Sequence, residues 1–145
     1  MQNATDWGNL LRMQPATDPH SPGRSDAIGR LLARGGLIDI TTTGRRSGRP
    51  RRIEIVFHNI DGRIVITGMP RADRKRAWLL NLEADPRLTV HLKGTLEADL
   101  PGTARVITDP GERRSIADWV VTNAWPRSNA DAMAAHSPMI EVTLD

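Results

Sequence analysis

Between residues 37 and 67 three short β-forming runs follow one another with only turn residues between them. Residues 37–43 alternate Leu37, Asp39 and Thr41 against Ile38, Ile40 and Thr42. In the run that begins at Ile53, Ile53, Ile55 and Phe57 alternate with Glu54, Val56 and His58. A period of two is the mark of a strand. Asn59-Ile60-Asp61-Gly62 then reads as a hairpin turn, because Asp-Gly supplies the positive φ values such a turn needs. Residues 63–67 complete that hairpin.

Further along, the spacing predicts a loop over 69–74 and a helix from there to about Ala84, with Trp78, Leu79 and Leu82 on its apolar face and Asp85-Pro86 ending it. Leu88, Val90 and Leu92 mark a fourth strand. Residues 95–100 and 103–107 read as a hairpin across Pro101-Gly102. Asp109-Pro110-Gly111-Glu112 is a strong helix start: an Asp cap, proline at the first helical position and Glu three residues after the cap. Ile116, Trp119 and Val120 form that helix's buried stripe, and Pro126 closes it. A short helix over 128–135 and a last strand through Ile140, Val142 and Leu144 follow. Most strands are joined by hairpins and helices intervene at two points, which is not the strict alternation of a doubly wound α/β sheet. The expectation is a mainly β (α+β) fold: a small barrel of about six mostly antiparallel strands with three or four helices packed outside.

Residues 1–24, broken by Pro15, Pro19, Pro22 and Gly23, read as a flexible arm before a single domain over 25–145. A helical turn around Trp7, Leu10 and Leu11 would let the arm act as a lid, a subunit contact or a peripheral membrane contact. Ser25 is the expected N-cap of a short helix to Arg34, stopped by Gly35-Gly36. The absence of cysteine excludes disulfides, thiolate metal sites and cysteine catalysis. The first twenty residues hold Asp6, Arg12 and Asp18 and no long apolar run, unlike a signal peptide. No stretch approaches the ~18–20 apolar residues of a membrane span. A cytoplasmic protein is expected, with membrane association through the arm as the alternative.

The chemistry is concentrated between the first two strands. Arg45, Arg46, Arg49, Arg51 and Arg52 sit on or beside one tight turn. Like charges packed this closely repel, so an anionic partner is the natural reason for them. Gly44 and Gly48 would let backbone N–H groups approach an anion, and Ser47 offers a hydroxyl. The turn is no P-loop, because Pro50 leads into a strand and no Lys-Ser/Thr pair opens a helix. A second basic cluster, Arg71, Arg74, Lys75 and Arg76, falls at the start of the predicted helix, where the dipole disfavours cations and favours an anion. The two clusters could converge on one groove.

Other candidates are weaker. His58 and His91 fall at outward-looking strand positions with no third metal ligand at suitable spacing, and His20 and His136 lie in proline-flanked loops. No Ser/His/Asp order and no paired carboxylates stand out. A nucleic-acid-binding module with the arginines on phosphates is a second alternative function, disfavoured since the only aromatics are Phe57 and four tryptophans. Anchoring groups with few reactive ones suit an enzyme whose chemistry lives in a redox cofactor.

The run Thr41-Thr42-Thr43-Gly44-Arg45-Arg46-Ser47-Gly48-Arg49-Pro50-Arg51 is similar to the hallmark of the deazaflavin (F420)-dependent nitroreductase and quinone-reductase family of actinobacteria. Asp61-Gly62, Trp78-x-x-Asn81-Leu82-x-Ala84-Asp85-Pro86 and Val90-x-Leu92 fall at that family's spacing. The resemblance covers residues 37–108 and more weakly the helix after Asp109. It implies a split β-barrel, often dimeric in the wider flavin-binding superfamily. It also implies coenzyme F420 passing a hydride to a small hydrophobic electron acceptor: a quinone, nitro compound or activated alkene. That cofactor's tail carries a phosphate and several glutamates. By position, Arg45, Arg46, Ser47 and Arg51 would hold the tail. Ile53, Glu54, Ile55, Val56, Ile66, Thr67, Gly68, Met69, Ala77 and Trp78 would line the ring system. The chain has Gly68-Met69 where the best-characterised branch has Ser-Lys, Arg76-Ala77 where it has Pro-Met, and no tyrosines over the substrate cleft. These departures keep FMN as an alternative cofactor, and a flavin-, haem- or lipid-binding protein without turnover as an alternative function.

Overall fold

The computed structural model describes residues 22–145. The arm's expected helical turn at Trp7, Leu10 and Leu11, and His20, lie outside the described residues. The chain divides into two compact units, one ending at Leu31 and the other running from Leu32 to Asp145. Helix α1 (Pro22–Arg34), which runs past that division, is already helical at Pro22. Proline suits the first helical turn, where its missing N–H would go unpaired anyway. Ser25 therefore lies inside the helix and is not its cap, as the pattern alone suggests.

The second unit contains six strands, β1 (Gly36–Thr43), β2 (Pro50–Ile60), β3 (Arg63–Thr67), β4 (Arg87–Leu92), β5 (Ala98–Val106) and β6 (Met139–Leu144). They close into a barrel in the order β1-β2-β3-β6-β5-β4, with β4 returning to pair with β1. All six pairings are antiparallel, so the expected mainly β barrel is the observed one. Helix α2 (Ala77–Ala84) joins β3 to β4. Helices α3 (Pro110–Asn123) and α4 (Ala130–His136) join β5 to β6. Asp61 at φ 53° and Gly62 at φ 87° make the tight β2–β3 turn, as Asp-Gly requires.

The barrel wall is apolar on its inner face and, where α3 and α4 cover it, on its outer face too. Register pairs Ile40 with Val90, Phe57 with Ile66 and Ile66 with Ile140, so these buried side chains share the inner face. On the outer face Ile60, Val65 and Met139 pack with Ile116, Ala117, Val120 and Met133 of α3 and α4. The Asp109 side chain accepts from the Glu112 N–H at 2.8 Å and starts α3 as its sequence predicts. Glu112 does not complete a reciprocal capping box. Its carboxylate instead holds Arg63 of β3 and Arg105 of β5, each at 2.7 Å.

The expected hairpin across Pro101-Gly102 is absent; both residues lie within the continuous strand β5. The Pro101 carbonyl accepts from the Asp145 N–H at 3.0 Å. A residue's nitrogen and carbonyl face the same side of a strand. The proline nitrogen therefore faces the end of β6, and no ladder bond to β4 is lost. A Cβ on Gly102 would lie 2.7 Å from the Thr143 carbonyl oxygen, so glycine there permits close approach of β6 and makes no turn.

Candidate anion-binding site

The arginine turn spans residues 44–49, between the last residue of β1 and the first of β2. Its backbone is tied internally. The Gly44 N–H donates to the Arg49 carbonyl and the Gly48 N–H to the Gly44 carbonyl, both at 2.8 Å, and the Arg49 N–H donates to Ser47 Oγ at 3.1 Å. A Cβ on Gly44 would sit 2.6 Å from Ser47 Oγ, and Gly48 has φ 70°. Both glycines thus serve the folding of the turn. This corrects the expectation that their amides face an anion: those N–H groups are already used. What the turn presents is side chains.

The turn is also latched from outside. Asn81, buried on α2, accepts from the Arg45 N–H through Oδ1 at 3.0 Å and donates from Nδ2 to Thr42 Oγ1 at 3.1 Å. One amide therefore fixes both the end of β1 and the first arginine. Trp78 lies three residues earlier on the same helix, a spacing that puts the two side chains on one face. Sequence reading placed Asn81 in a motif without giving it this task; the i, i+3 spacing from Trp78 was the available signal.

Many arginines outside the turn are charge-paired. Arg52 meets Asp39, Arg63 meets Glu112 and Glu141, Arg71 meets Asp73, Arg87 meets Asp85, Arg105 meets Glu112 and Glu141, and Arg114 meets Asp118 and Asp131. Among the described residues, no carboxylate pairs with Arg45, Arg46, Arg49 or Arg51. Four uncompensated guanidinium groups within seven residues form a ready site for a polyanion.

Arg45, Arg46, Ser47 and Arg51 line a cavity of about 430 Å³ whose other walls include Ile53, Ala77 and Trp78. Thr42, Gly44 and Asn81 complete it. The other residues expected to line a ring lie elsewhere. Glu54 is exposed and ion-paired with Lys93. Ile55 and Val56 are half-buried opposite Ile38 and Leu37 on β1. Ile66 is fully buried inside the barrel. Thr67 is buried with Oγ1 3.3 Å from His58 Nε2. Gly68 abuts Pro138, and Met69 is exposed.

The second basic cluster begins before its helix. α2 starts at Ala77, so Arg71, Arg74 and Lys75 occupy the preceding loop and only Arg76 takes the N-cap position. Lys75 pairs with Glu83 at 2.9 Å, and Arg76 donates to the Met69 carbonyl at 2.8 Å. Burial, with Arg71 and Arg74 nearby, pushes the Arg76 pKa down. The two clusters do meet. A cavity of about 270 Å³ is lined by Arg45 and Ala77 on one side and by Arg74, Lys75 and Arg76 on the other.

The histidines need correction. His58 and His91 are both buried and do not face solvent. His58 lies under α3 and the segment after it, its ring 5.9 Å from Trp119 and 5.0 Å from Trp125, and burial pushes its pKa down. His91 bridges strands, with Nε2 2.7 Å from Thr41 Oγ1 and Nδ1 2.7 Å from Asp99 Oδ1. Among the described residues no cluster of His, Asp and Glu could hold a metal.

Solved structures share this fold. A conserved hypothetical protein from Mycobacterium tuberculosis matches with a TM-score of 0.66 and 18% identity over 91% of this chain and 85% of its own. An F420-H2 dependent reductase matches with a TM-score of 0.56 and 21% identity over 74% of this chain and 94% of its own. A domain-swapped dimer matches with a TM-score of 0.56 and 22% identity over 85% of this chain and 100% of its own. The model of the F420H(2)-dependent quinone reductase family matches residues 12–143, a span that contains the arginine turn, the Trp78–Asn81 face of α2 and all of the barrel except the last residue of β6. The chain belongs to that family.

Proposed function

We propose that this F420-dependent oxidoreductase holds the cofactor's anionic tail on Arg45, Arg46 and Arg51 and reduces a small hydrophobic acceptor of the quinone, nitro or activated-alkene class. The observation that carries the reading is the set of guanidinium groups left without carboxylates beside an apolar wall. The donor set fits the group. Planar guanidiniums take phosphate and carboxylate oxygens bidentately, and Ile53, Ala77 and Trp78 offer apolar surface to a fused ring system. Reduced F420, when bound, supplies the hydride. The chain's own part is to bind, orient and exclude water. Arg45 is fixed at its backbone by Asn81, so its side chain departs from a defined point. Trp78, only 9% exposed, gives the cavity a rigid wall. The network of the turn keeps Ser47 Oγ occupied with the Arg49 amide, so Ser47 acts by shaping the loop as well as by facing the cavity.

Titration with F420, FMN and haem, followed by tryptophan quenching and absorbance, tests this. F420 should bind and the Arg46→Ala/Arg51→Ala variant should bind it at least about a hundredfold more weakly, since each charge-assisted contact contributes about 1.5–3 kcal/mol. Binding of FMN or haem alone would refute the assignment. Oxidation of reduced F420 by menadione no faster than without protein would remove quinones from the acceptor class. A homodimer is also proposed, prompted by the domain-swapped fold relative; light scattering of the full chain checks it. Among the described residues no helix is long and apolar enough to cross a membrane. Contact of the N-terminal arm with a membrane surface is proposed from its sequence, and vesicle flotation with and without residues 1–21 checks it.

A further inference from the structure

A second cavity, of about 400 Å³, borders the basic loop. The loop 71–76 forms one part of its wall, and the end of α4 with the two residues that lead into β6, 135–138, forms another, beside Ile107 and Arg113. These two parts are stitched together: the Gly68 N–H donates to the Pro138 carbonyl at 3.1 Å and the Arg71 N–H to the His136 carbonyl at 3.4 Å. Leu79, Ile107 and Pro138 make part of the lining apolar.

The cations on this cavity differ in how they are engaged. Arg71 is taken by Asp73 and Lys75 by Glu83. Arg113 donates to the carbonyls of Ile107, Ala134 and Ser137, so its fork is filled by backbone. Arg74 has no carboxylate partner among the described residues, and Arg76 gives Nη2 to the Met69 carbonyl. The depressed Arg76 pKa reflects burial next to like charge, a repulsion that an anion would relieve. Ser137 adds a buried hydroxyl with no hydrogen-bond partner on the same wall. Arg74, Lys75 and Arg76 also line the smaller cavity that reaches Arg45 and Ala77. The basic loop therefore lines both this cavity and the smaller one, which in turn shares Arg45 and Ala77 with the cavity of the arginine turn.

We propose that this cavity is the acceptor site and that it selects acceptors with an apolar body and an anionic carboxylate or similar oxo group, held by Arg74 and Arg76. The proposal rests on the reading in which the arginine turn holds the cofactor. It narrows the acceptor from a neutral hydrophobe to an anionic amphiphile.

Calorimetry with a matched pair of redox-inert probes, 2-naphthoate and 2-naphthamide, tests the cavity on cofactor-free protein. Naphthoate should bind at least tenfold more tightly, a difference of about 1.4 kcal/mol. The preference should shrink in about 0.5 M salt and vanish in Arg74→Ser/Arg76→Gln, with Arg74→Ser alone giving a partial loss. Saturating F420 should leave naphthoate binding in place, and F420 affinity should fall less than tenfold in the double variant. With the loaded enzyme, 1,4-naphthoquinone-2-sulfonate should show a lower KM than 1,4-naphthoquinone. Equal binding of the two probes, a preference that survives the double variant, or displacement of naphthoate by F420 would each overturn the proposal. A tenfold loss of F420 affinity in the double variant would assign Arg74 and Arg76 to the cofactor tail and overturn it too. Failure of the cofactor reading shows separately, as F420 affinity unmoved by Arg46→Ala/Arg51→Ala.

Discussion

Replacing Asn81 by leucine should weaken cofactor binding without touching any group that faces the ligand through its charge. Asn81 makes two hydrogen bonds from a buried position, accepting from the Arg45 N–H at 3.0 Å and donating to Thr42 Oγ1 at 3.1 Å. Leucine is close in size, so the cavity term is small and the loss is polar. An unsatisfied buried donor costs about 1–3 kcal/mol. Thr42, 2% exposed, has little access to water, whereas Arg45 is an exposed residue. A total of about 2–3 kcal/mol is therefore expected in urea unfolding followed by tryptophan fluorescence. If the latch also orders the turn, freeing Arg45 should cost about 1.4 kcal/mol of binding, or tenfold in F420 affinity. Leu82→Ala is the control. Leu82 is 1% exposed on the same helix and its truncation should cost about 2–5 kcal/mol of stability, yet F420 affinity should move less than twofold. Should Asn81→Leu lose stability like Leu82→Ala and keep full F420 affinity, the turn does not depend on this amide for binding.

Two further predictions concern pH. Arg105, opposed by burial and helped by Arg63, holds the Glu112 carboxyl down at about 2 against its usual 4.5. A depressed folded pKa contributes stability that is present above about 4.5 and is lost as pH falls toward about 2. The partner arginines are 36% and 54% exposed, so solvent screening limits this to about 1–2 kcal/mol. Glu112→Gln should therefore lose about that much at pH 7 and show a flatter acid limb in urea melts; an unchanged limb would place the acid sensitivity elsewhere. His58 is held neutral by burial, with its pKa below the usual 6.5. The unfolded chain takes the proton first, so stability should fall as pH drops below 6.5. His58→Phe should remove the slope just below that pH, and an unaltered profile would exclude His58 as its origin.

Much of the fold follows from local chemistry. Alternating β runs with Asp61-Gly62 between them admit only an antiparallel hairpin, and the structure contains it. Asp109 caps α3 through its own side chain, so four consecutive residues were enough to find that helix. The arginine turn was visible as a concentration of charge because neighbours in sequence must be neighbours in space.

What the chain alone left open depended on partners far away in sequence. Pro101-Gly102 has turn chemistry, yet β6 approaches so closely that only glycine fits beside Thr143, while the proline nitrogen faces a place where no ladder donor is required. His58 and His91 alternate outward along their strands, but outward here means beneath Trp119 and Trp125 for one and between Thr41 and Asp99 for the other. A period of two tells which side of a sheet a residue takes and not what covers that side. The number of arginines near the turn is a property of the sequence. Which of them remain uncompensated is a property of the fold, because Arg52 finds Asp39 across the β1–β2 pair while Arg45, Arg46, Arg49 and Arg51 find no carboxylate among the described residues. Local propensity is set within a few residues, whereas ion pairing, burial and the Asn81 latch are set by distances that exist only once the barrel closes.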